Sequence, residues 1–183
     1  MAKNILIITG SPRIHGNSNT LVKAFAGGAI AMGNSVEVFD TCHAKLEGCH
    51  ADKSCEKRGY CGIKDDGVKL RELMCWADVL ILASPIYWKG FTAQIKLAID
   101  HFYQFAFPKG RATISIKETG LISTAMSPDE RIFDSMVGEY EHINEMLGFE
   151  SSFKLLCPGL DDEDSLSEHP DYIASAVRYG MKI

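Results

Sequence analysis

No stretch of this chain approaches the roughly 20 consecutive apolar residues that a bilayer-spanning helix needs, so no spanning segment is expected. Its start, Met1-Ala2-Lys3-Asn4, leads into only four strongly apolar residues, too few for a secretory signal. The expected setting is therefore cytoplasmic, with the six cysteines reduced unless they hold a metal. A basic excess is also missing: 19 Lys and Arg stand against 24 Asp and Glu, a net charge of −5, which speaks against a nucleic-acid partner. There is no internal repeat and no low-complexity tract. With 183 residues, 46% of them hydrophobic, residues 1–183 can build one full core, and a single domain is expected.

Two phosphate-binding signatures are absent as well, and their absence sharpens the segment that is present. The apolar run Ile5-Leu6-Ile7-Ile8 is followed by Gly10-Ser11-Pro12-Arg13-Ile14-His15-Gly16-Asn17-Ser18-Asn19-Thr20, then by the helix-like Leu21-Val22-Lys23-Ala24-Phe25-Ala26. A buried strand, a polar and Gly-rich loop, and a helix start form a phosphate-binding arrangement. The free N–H groups of the first helical turn face the anion, and the helix dipole favours negative charge there. Ser11, Asn17, Ser18, Asn19 and Thr20 add polar side chains, and Arg13 can offset a dianion with a two-pronged contact. The loop lacks the G-x-G-x-x-G of dinucleotide folds and the Lys of a nucleotide triphosphatase loop. It also holds no Cys to act as a phosphatase nucleophile. What remains is a grip on a terminal monophosphate, with FMN the foremost candidate. An ordinary strand-to-helix turn capped by Ser18 or Asn19 is the plainer alternative.

A second run, Val79-Leu80-Ile81-Leu82-Ala83, has the continuous apolar character of a strand covered on both faces. It ends in Ser84-Pro85-Ile86-Tyr87-Trp88-Lys89-Gly90. Ligands of open α/β sheets sit outside the carboxyl ends of the strands, which brings this loop near the first one. Pro85, Ile86, Tyr87 and Trp88 can then cover a flat ring, although Tyr87 and Trp88 taken alone also suit plain packing. Together with Ile95-Lys96-Leu97-Ala98-Ile99-Asp100, these segments make the chain resemble the NADPH-dependent FMN reductase and iron–sulfur flavoprotein group of the flavodoxin-like superfamily. The resemblance covers about residues 3–180. It implies an FMN-binding flavodoxin-like fold, two-electron chemistry and a homodimer or homotetramer. It also supports Thr124 and Ala125, in Ser123-Thr124-Ala125-Met126, as neighbours of the flavin ring. The chain is less acidic than expected of a dedicated electron-shuttle flavodoxin.

Strands are expected at 4–9, 35–40, 79–83, 118–123 and 150–156. Helices are expected at 18–32, 68–75, 91–103, 131–147 and 170–179. Alternation of this kind gives a doubly wound five-stranded parallel sheet, order 2-1-3-4-5, with helices on both faces. The acidic run at 161–164 reads as a solvated loop. A Cys-, Gly- and charge-rich insertion fills about 41–66. It carries Cys49, Cys55 and Cys61, followed by Asp65-Asp66. Iron–sulfur flavoproteins resemble this region with C-x2-C-x2-C-x5-C ahead of such an acidic pair, but the second position here is Asp52. A carboxylate is a harder ligand than a thiolate and leaves a more labile cluster. Three readings stay open: an iron–sulfur cluster on Cys49, Cys55 and Cys61, a zinc ion with His50 as spare ligand, or a metal-free lid or subunit contact. Cys42, Cys75 and Cys157 read as small core residues. His15 suits either phosphate or solvent, and His101 a helix end or a subunit interface.

The resulting expectation is an FMN-dependent NAD(P)H oxidoreductase that passes electrons to a small acceptor such as a flavin, quinone, nitro or azo compound. No side chain is assigned as catalytic, because the flavin ring carries the reaction and the protein positions and tunes it. Two rivals are an electron carrier without a nicotinamide site and a flavin-binding interaction module without turnover. No ribose-reading motif separates NADH from NADPH. Arg13→Ala is expected to weaken FMN binding markedly; flavin content after purification is the measurement, and unchanged content removes Arg13 from the phosphate site.

Overall fold

The computed structural model describes residues 2–162 and 164–183. In chain order the elements are β1 (Asn4–Thr9), α1 (Asn17–Ala31), β2 (Ser35–Asp40), α2 (Ser54–Arg58), α3 (Gly67–Trp76) and β3 (Val79–Pro85). There follow α4 (Ala93–Asp100), α5 (Pro108–Arg111), β4 (Glu118–Thr124), α6 (Asp134–Leu147), β5 (Glu150–Cys157) and α7 (Pro170–Lys182). The strands form one parallel sheet in the order β2-β1-β3-β4-β5, as expected from the alternation of strands and helices.

Side chains of a strand point to opposite faces in turn, and the central strands use both faces. Leu6, Ile8, Leu80, Leu82 and Leu121 join a core with Leu70, Met74, Ile95, Phe102, Met136 and Tyr140 from the α3, α4 and α6 side. Ile5, Ile7, Val79, Ile81 and Ile122 join a second core with Leu21, Phe25, Ala29 and Ala176 beneath α1 and α7. Unbroken apolar runs are what a strand between two such layers requires. The edge strand β2 is mostly exposed or half-buried, with Phe39 its one buried residue.

The long helix expected at 91–103 is shorter. Thr92 caps α4, its Oγ1 accepting from Ile95 N, and after Asp100 the chain tightens into a 3₁₀ segment, His101–Ala106. The helix expected at 131–147 likewise opens with a 3₁₀ turn, Glu130–Phe133. The short helices α2 and α5 fall where no helix was expected; at 5 and 4 residues they are too short to show a hydrophobic period. Among the described residues no helix is long and apolar enough to cross a membrane.

Helices α1 and α7 cross at glycines on both sides. A Cβ on Gly180 would press into the Phe25 carbonyl, and one on Gly28 into the Val177 carbonyl. Backbone cannot yield as a flexible side chain can, so the helices would have to separate above the Phe25–Phe153–Tyr179 ring stack. Gly180→Ala is therefore expected to destabilise the fold by about 1–3 kcal/mol, the usual range for overpacking. Urea unfolding checks this, and a midpoint equal to that of the parent shows the crossing to be loose.

Candidate functional site

The loops after β1, β3 and β4 meet at the carboxyl edge of the sheet, where the crossovers leave the sheet on opposite sides, and enclose a cleft of about 310 Å³. Its lining includes nine of the expected cofactor residues: Ser11, Arg13, Asn17, Ser18, Pro85, Ile86, Tyr87, Thr124 and Ala125. Thr20, Asn19 and Trp88 are not part of it.

The first loop is folded on its own carbonyls. The Arg13 carbonyl accepts from Gly16 N at 3.0 Å, from Asn19 Nδ2 at 2.9 Å and from Ser11 Oγ at 3.3 Å. Thr9 Oγ1 donates to Asn19 Oδ1 at 2.5 Å, so Asn19 is consumed in shaping the loop. Gly10 rests on α4, where an added Cβ would sit 2.6 Å from both Ile95 Cβ and Thr92 Oγ1. Thr92 Oγ1 in turn donates to the Gly10 carbonyl at 2.8 Å. Thr20 is already turned into the helix, its N–H on the Gly16 carbonyl at 3.0 Å.

A phosphate ester fits this floor. Helix α1 begins after Gly16, which brings no capping side chain, and the first-turn amides at 17–19 have no intrahelical acceptor. Ser18 Oγ and Thr124 Oγ1 lie 2.7 Å apart; one hydroxyl hydrogen joins them and the other is left for a ligand. Asn17 Nδ2 donates to the Asp162 carbonyl at 2.7 Å, while its buried Oδ1 has no partner among the described residues. That acceptor suits a hydroxyl donor, such as one on a ribityl chain.

Beyond the third loop, the exposed Asp129 carboxylate accepts from Arg131 N and from its guanidinium. The Arg131 hydrogen bonds hold the Asp129 carboxyl below its ordinary range. Sequence reasoning missed Gly16, Met126, Leu160 and Asp161, which also line the cleft. The signal was available for the last two, because the chain after β5 leaves the same sheet edge. Asp161 and Asp162 are exposed, as expected of a solvated loop, and Asp161 stands at the edge of the cleft; Glu163 lies outside the described residues.

The loop after β3 ends in a two-residue hairpin. Tyr87 and Gly90 exchange backbone bonds at 3.0 Å in both directions, and Trp88 and Lys89 between them have φ of +50° and +65°. Two central residues at positive φ make a turn that Asn and Gly favour. For other residues the left-handed region costs roughly 1–2 kcal/mol each. Trp88 stands wholly in solvent, at 103% relative exposure, beside Tyr87 at 47%.

The cysteine-bearing insertion is fastened to the fold away from this cleft. Asp65 Oδ2 accepts from Glu47 N at 2.7 Å, Asp65 Oδ1 from Gly67 N at 2.8 Å, and Asp66 Oδ2 from Lys45 N at 2.7 Å. His101 is buried against them, 3.7 Å from Asp65 and 3.3 Å from the Glu47 carbonyl. Cys61 N donates to Gln104 Oε1 at 3.2 Å, and Tyr103 Oη to Glu56 Oε1 at 3.1 Å. His101 is therefore an internal tie, and the acidic pair has a structural task independent of any cluster.

Cys49, Cys55 and Cys61 do line one common hollow. Burial, with smaller contributions from Cys61 and Cys49, pushes the Cys55 thiol up. The Asp52 carboxylate accepts from Ser54 N at 2.9 Å and from Ser54 Oγ at 2.8 Å, and those bonds hold its pKa down. Among the described residues no three His, Cys, Asp or Glu side chains are grouped to hold a metal. The residues present do not fit a four-ligand cluster. Of the other thiols, Cys157 is a core residue that burial pushes up to about 12, whereas Cys42 and Cys75 are only half-buried.

A parallel sheet in this order, with helices on both faces, defines the flavodoxin-like class of fold. The profile of the NADPH-dependent FMN reductase family matches residues 3–131. The chain belongs to that family. It is 25% identical over 173 residues to a Bacillus subtilis protein, YwqN, provisionally named an NAD(P)H-dependent FMN-containing oxidoreductase, with 90% of each chain covered. It is 33% identical over 96 residues to an iron–sulfur flavoprotein of Methanocaldococcus jannaschii, covering 52% of this chain and 50% of that one. The chain spans about half the length of the iron–sulfur flavoproteins it matches. In three dimensions it is similar to an NAD(P)H:quinone oxidoreductase from Methanothermobacter marburgensis, at a TM-score of 0.78 and 20% identity, over 99% of this chain and 96% of that one.

Removing the Asp65 carboxylate strands two backbone N–H groups and unpairs a buried His101. Asp65→Ala is expected to cost about 2–4 kcal/mol locally. Limited proteolysis should then cut within 41–66 well before the rest of the chain. An unchanged digestion pattern shows that the insertion is held by other contacts.

Proposed function

We propose that this chain is an FMN-dependent NAD(P)H oxidoreductase that reduces a small acceptor of the flavin, quinone, nitro or azo type. The observation that carries the reading is a single cleft with a donor-rich floor at one end and an apolar, aromatic wall at the other. Ser11, Arg13, Asn17, Ser18 and the first-turn amides of α1 would hold the phosphate and ribityl chain. Pro85, Ile86, Tyr87, Thr124 and Ala125 would frame the ring. FMN held there would supply the two-electron redox chemistry between a nicotinamide donor and the acceptor.

The chain's own part is placement. The cross-bonded Arg13 carbonyl keeps the loop amides open before any ligand arrives, which lowers the ordering cost of binding. Ser18 and Thr124 tie the phosphate loop to the third wall, so phosphate and ring sites are set at a fixed separation. Similarity to a provisionally named NAD(P)H-dependent relative supports the donor. A cytoplasmic setting and a homodimer or homotetramer belong to the same proposal.

An absorbance spectrum of the anaerobically purified protein, taken before and after NADPH, tests it. Flavin bands that bleach promptly are the expected result. Bands that stay oxidised with both NADPH and NADH move the chain to the electron-carrier class. Failure to take up FMN at all overturns the reading at its first step.

A further inference from the structure

Among the described residues Trp88 is the most exposed large apolar side chain, and it is held out by a turn that suits neither of its residues. A hairpin of this kind is ordinarily built from Asn and Gly, which adopt positive φ without penalty. Here the positions are Trp and Lys, and the strain persists because the ends are clamped. Tyr87 and Gly90 bond each other in both directions, and Ile86 N donates to the Thr124 carbonyl at 2.9 Å. Backbone strain that the surroundings impose, together with an aromatic ring given wholly to water, points to a task for the ring outside the folded chain.

The position says what kind of task. The three residues before Trp88 line the cleft, so the turn stands at its mouth. Met126, 68% exposed and itself lining the cleft, extends the apolar rim onto the loop after β4. Lys89, exposed beside Trp88, adds a cation to that rim. Resting on the reading of the cleft as a flavin site, we propose that Trp88 is the platform on which a planar aromatic acceptor bearing carbonyl or nitro oxygens docks. The indole offers a flat apolar face for offset stacking, Met126 an adaptable apolar contact, and Lys89 a partner for the acceptor's electron-rich oxygens. Trp88 is thus a specificity-determining residue rather than part of the flavin cradle, and it sets affinity for the acceptor.

The test compares the FMN-loaded wild-type protein with Trp88→Asn, Trp88→Gly and Trp88→Phe. Asn and Gly suit the positive φ, so neither should loosen the turn, and lost function in them reports the ring itself. With NADPH as donor, KM for menadione is expected to rise about tenfold in the Asn and Gly variants, the equivalent of one lost aromatic contact, and to be largely restored by Phe. Ferricyanide, which has no ring to stack, should be reduced by all four proteins with similar kcat/KM. In the wild type, menadione should quench Trp88 emission, isolated by difference against Trp88→Phe. A menadione KM that ignores residue 88 in flavin-loaded protein overturns this proposal alone. Wild-type protein without flavin absorbance overturns it together with the reading it rests on. Trp88 emission that shifts with protein concentration and not with menadione assigns the face to a second copy of the chain and overturns it too.

Discussion

Strands β1 and β3 each supply two hydrophobic cores at once, and every other feature follows from that constraint. Ile5 and Ile7 face one helical layer while Leu6 and Ile8 face the other, with Val79 and Ile81 against Leu80 and Leu82 repeating the division next door. Strands buried on both faces need helices on both faces, and right-handed crossovers then carry the chain to opposite sides of the sheet from its centre. The point where the direction changes lies between β1 and β3. Their loops cannot close over one another there, and a crevice is left. The cleft is a consequence of how the core is partitioned.

What fills that crevice with usable chemistry is a set of short polar bonds that shape backbone. Three donors converge on one carbonyl in the first loop, and a hydroxyl pair joins that loop to the third. These bonds spend side chains such as Asn19 on conformation, and the freed backbone N–H groups become the anion-facing groups. The insertion shows the same economy. Its acidic pair accepts backbone donors and lies against a buried imidazole, which positions the cysteine-bearing loop.

Legibility in the sequence tracked the range of the forces involved. Strand and helix positions came from local periodicity and were read to within a few residues, and the order of the sheet followed from alternation alone. The three loops were read because polar, Gly and aromatic residues at strand ends have a local signature. Helices α2 and α5 were not read, since one turn of helix buries too little to impose a period, and tertiary contacts decide it. The shortening at Asp100 was hidden for the same reason. His101 and Gln104 bond to the insertion from the 3₁₀ segment, and contacts of that kind leave no mark on the local period. The acidity of Asp161 correctly argued for solvent, and its place after β5 adds that it borders the cleft.

By itself, the sequence determined the class of fold, the edge of the sheet that binds, and the residue types offered to a phosphate and a flat ring. Those depend on alternation, composition and neighbours along the chain. Only the tertiary structure decided which of the offered side chains face the cleft. Asn17 and Asn19 are two residues apart and both nine-tenths buried, yet one opens into the site and the other closes the loop behind it. Tyr87 and Trp88 are adjacent aromatics, yet a turn with two positive φ values sends one to the wall and the other into solvent. Side-chain direction at such points is set by how the folded loop bonds to itself and to neighbouring loops, Asn17 to Asp162 and Ile86 to Thr124 among them, and composition alone does not encode it.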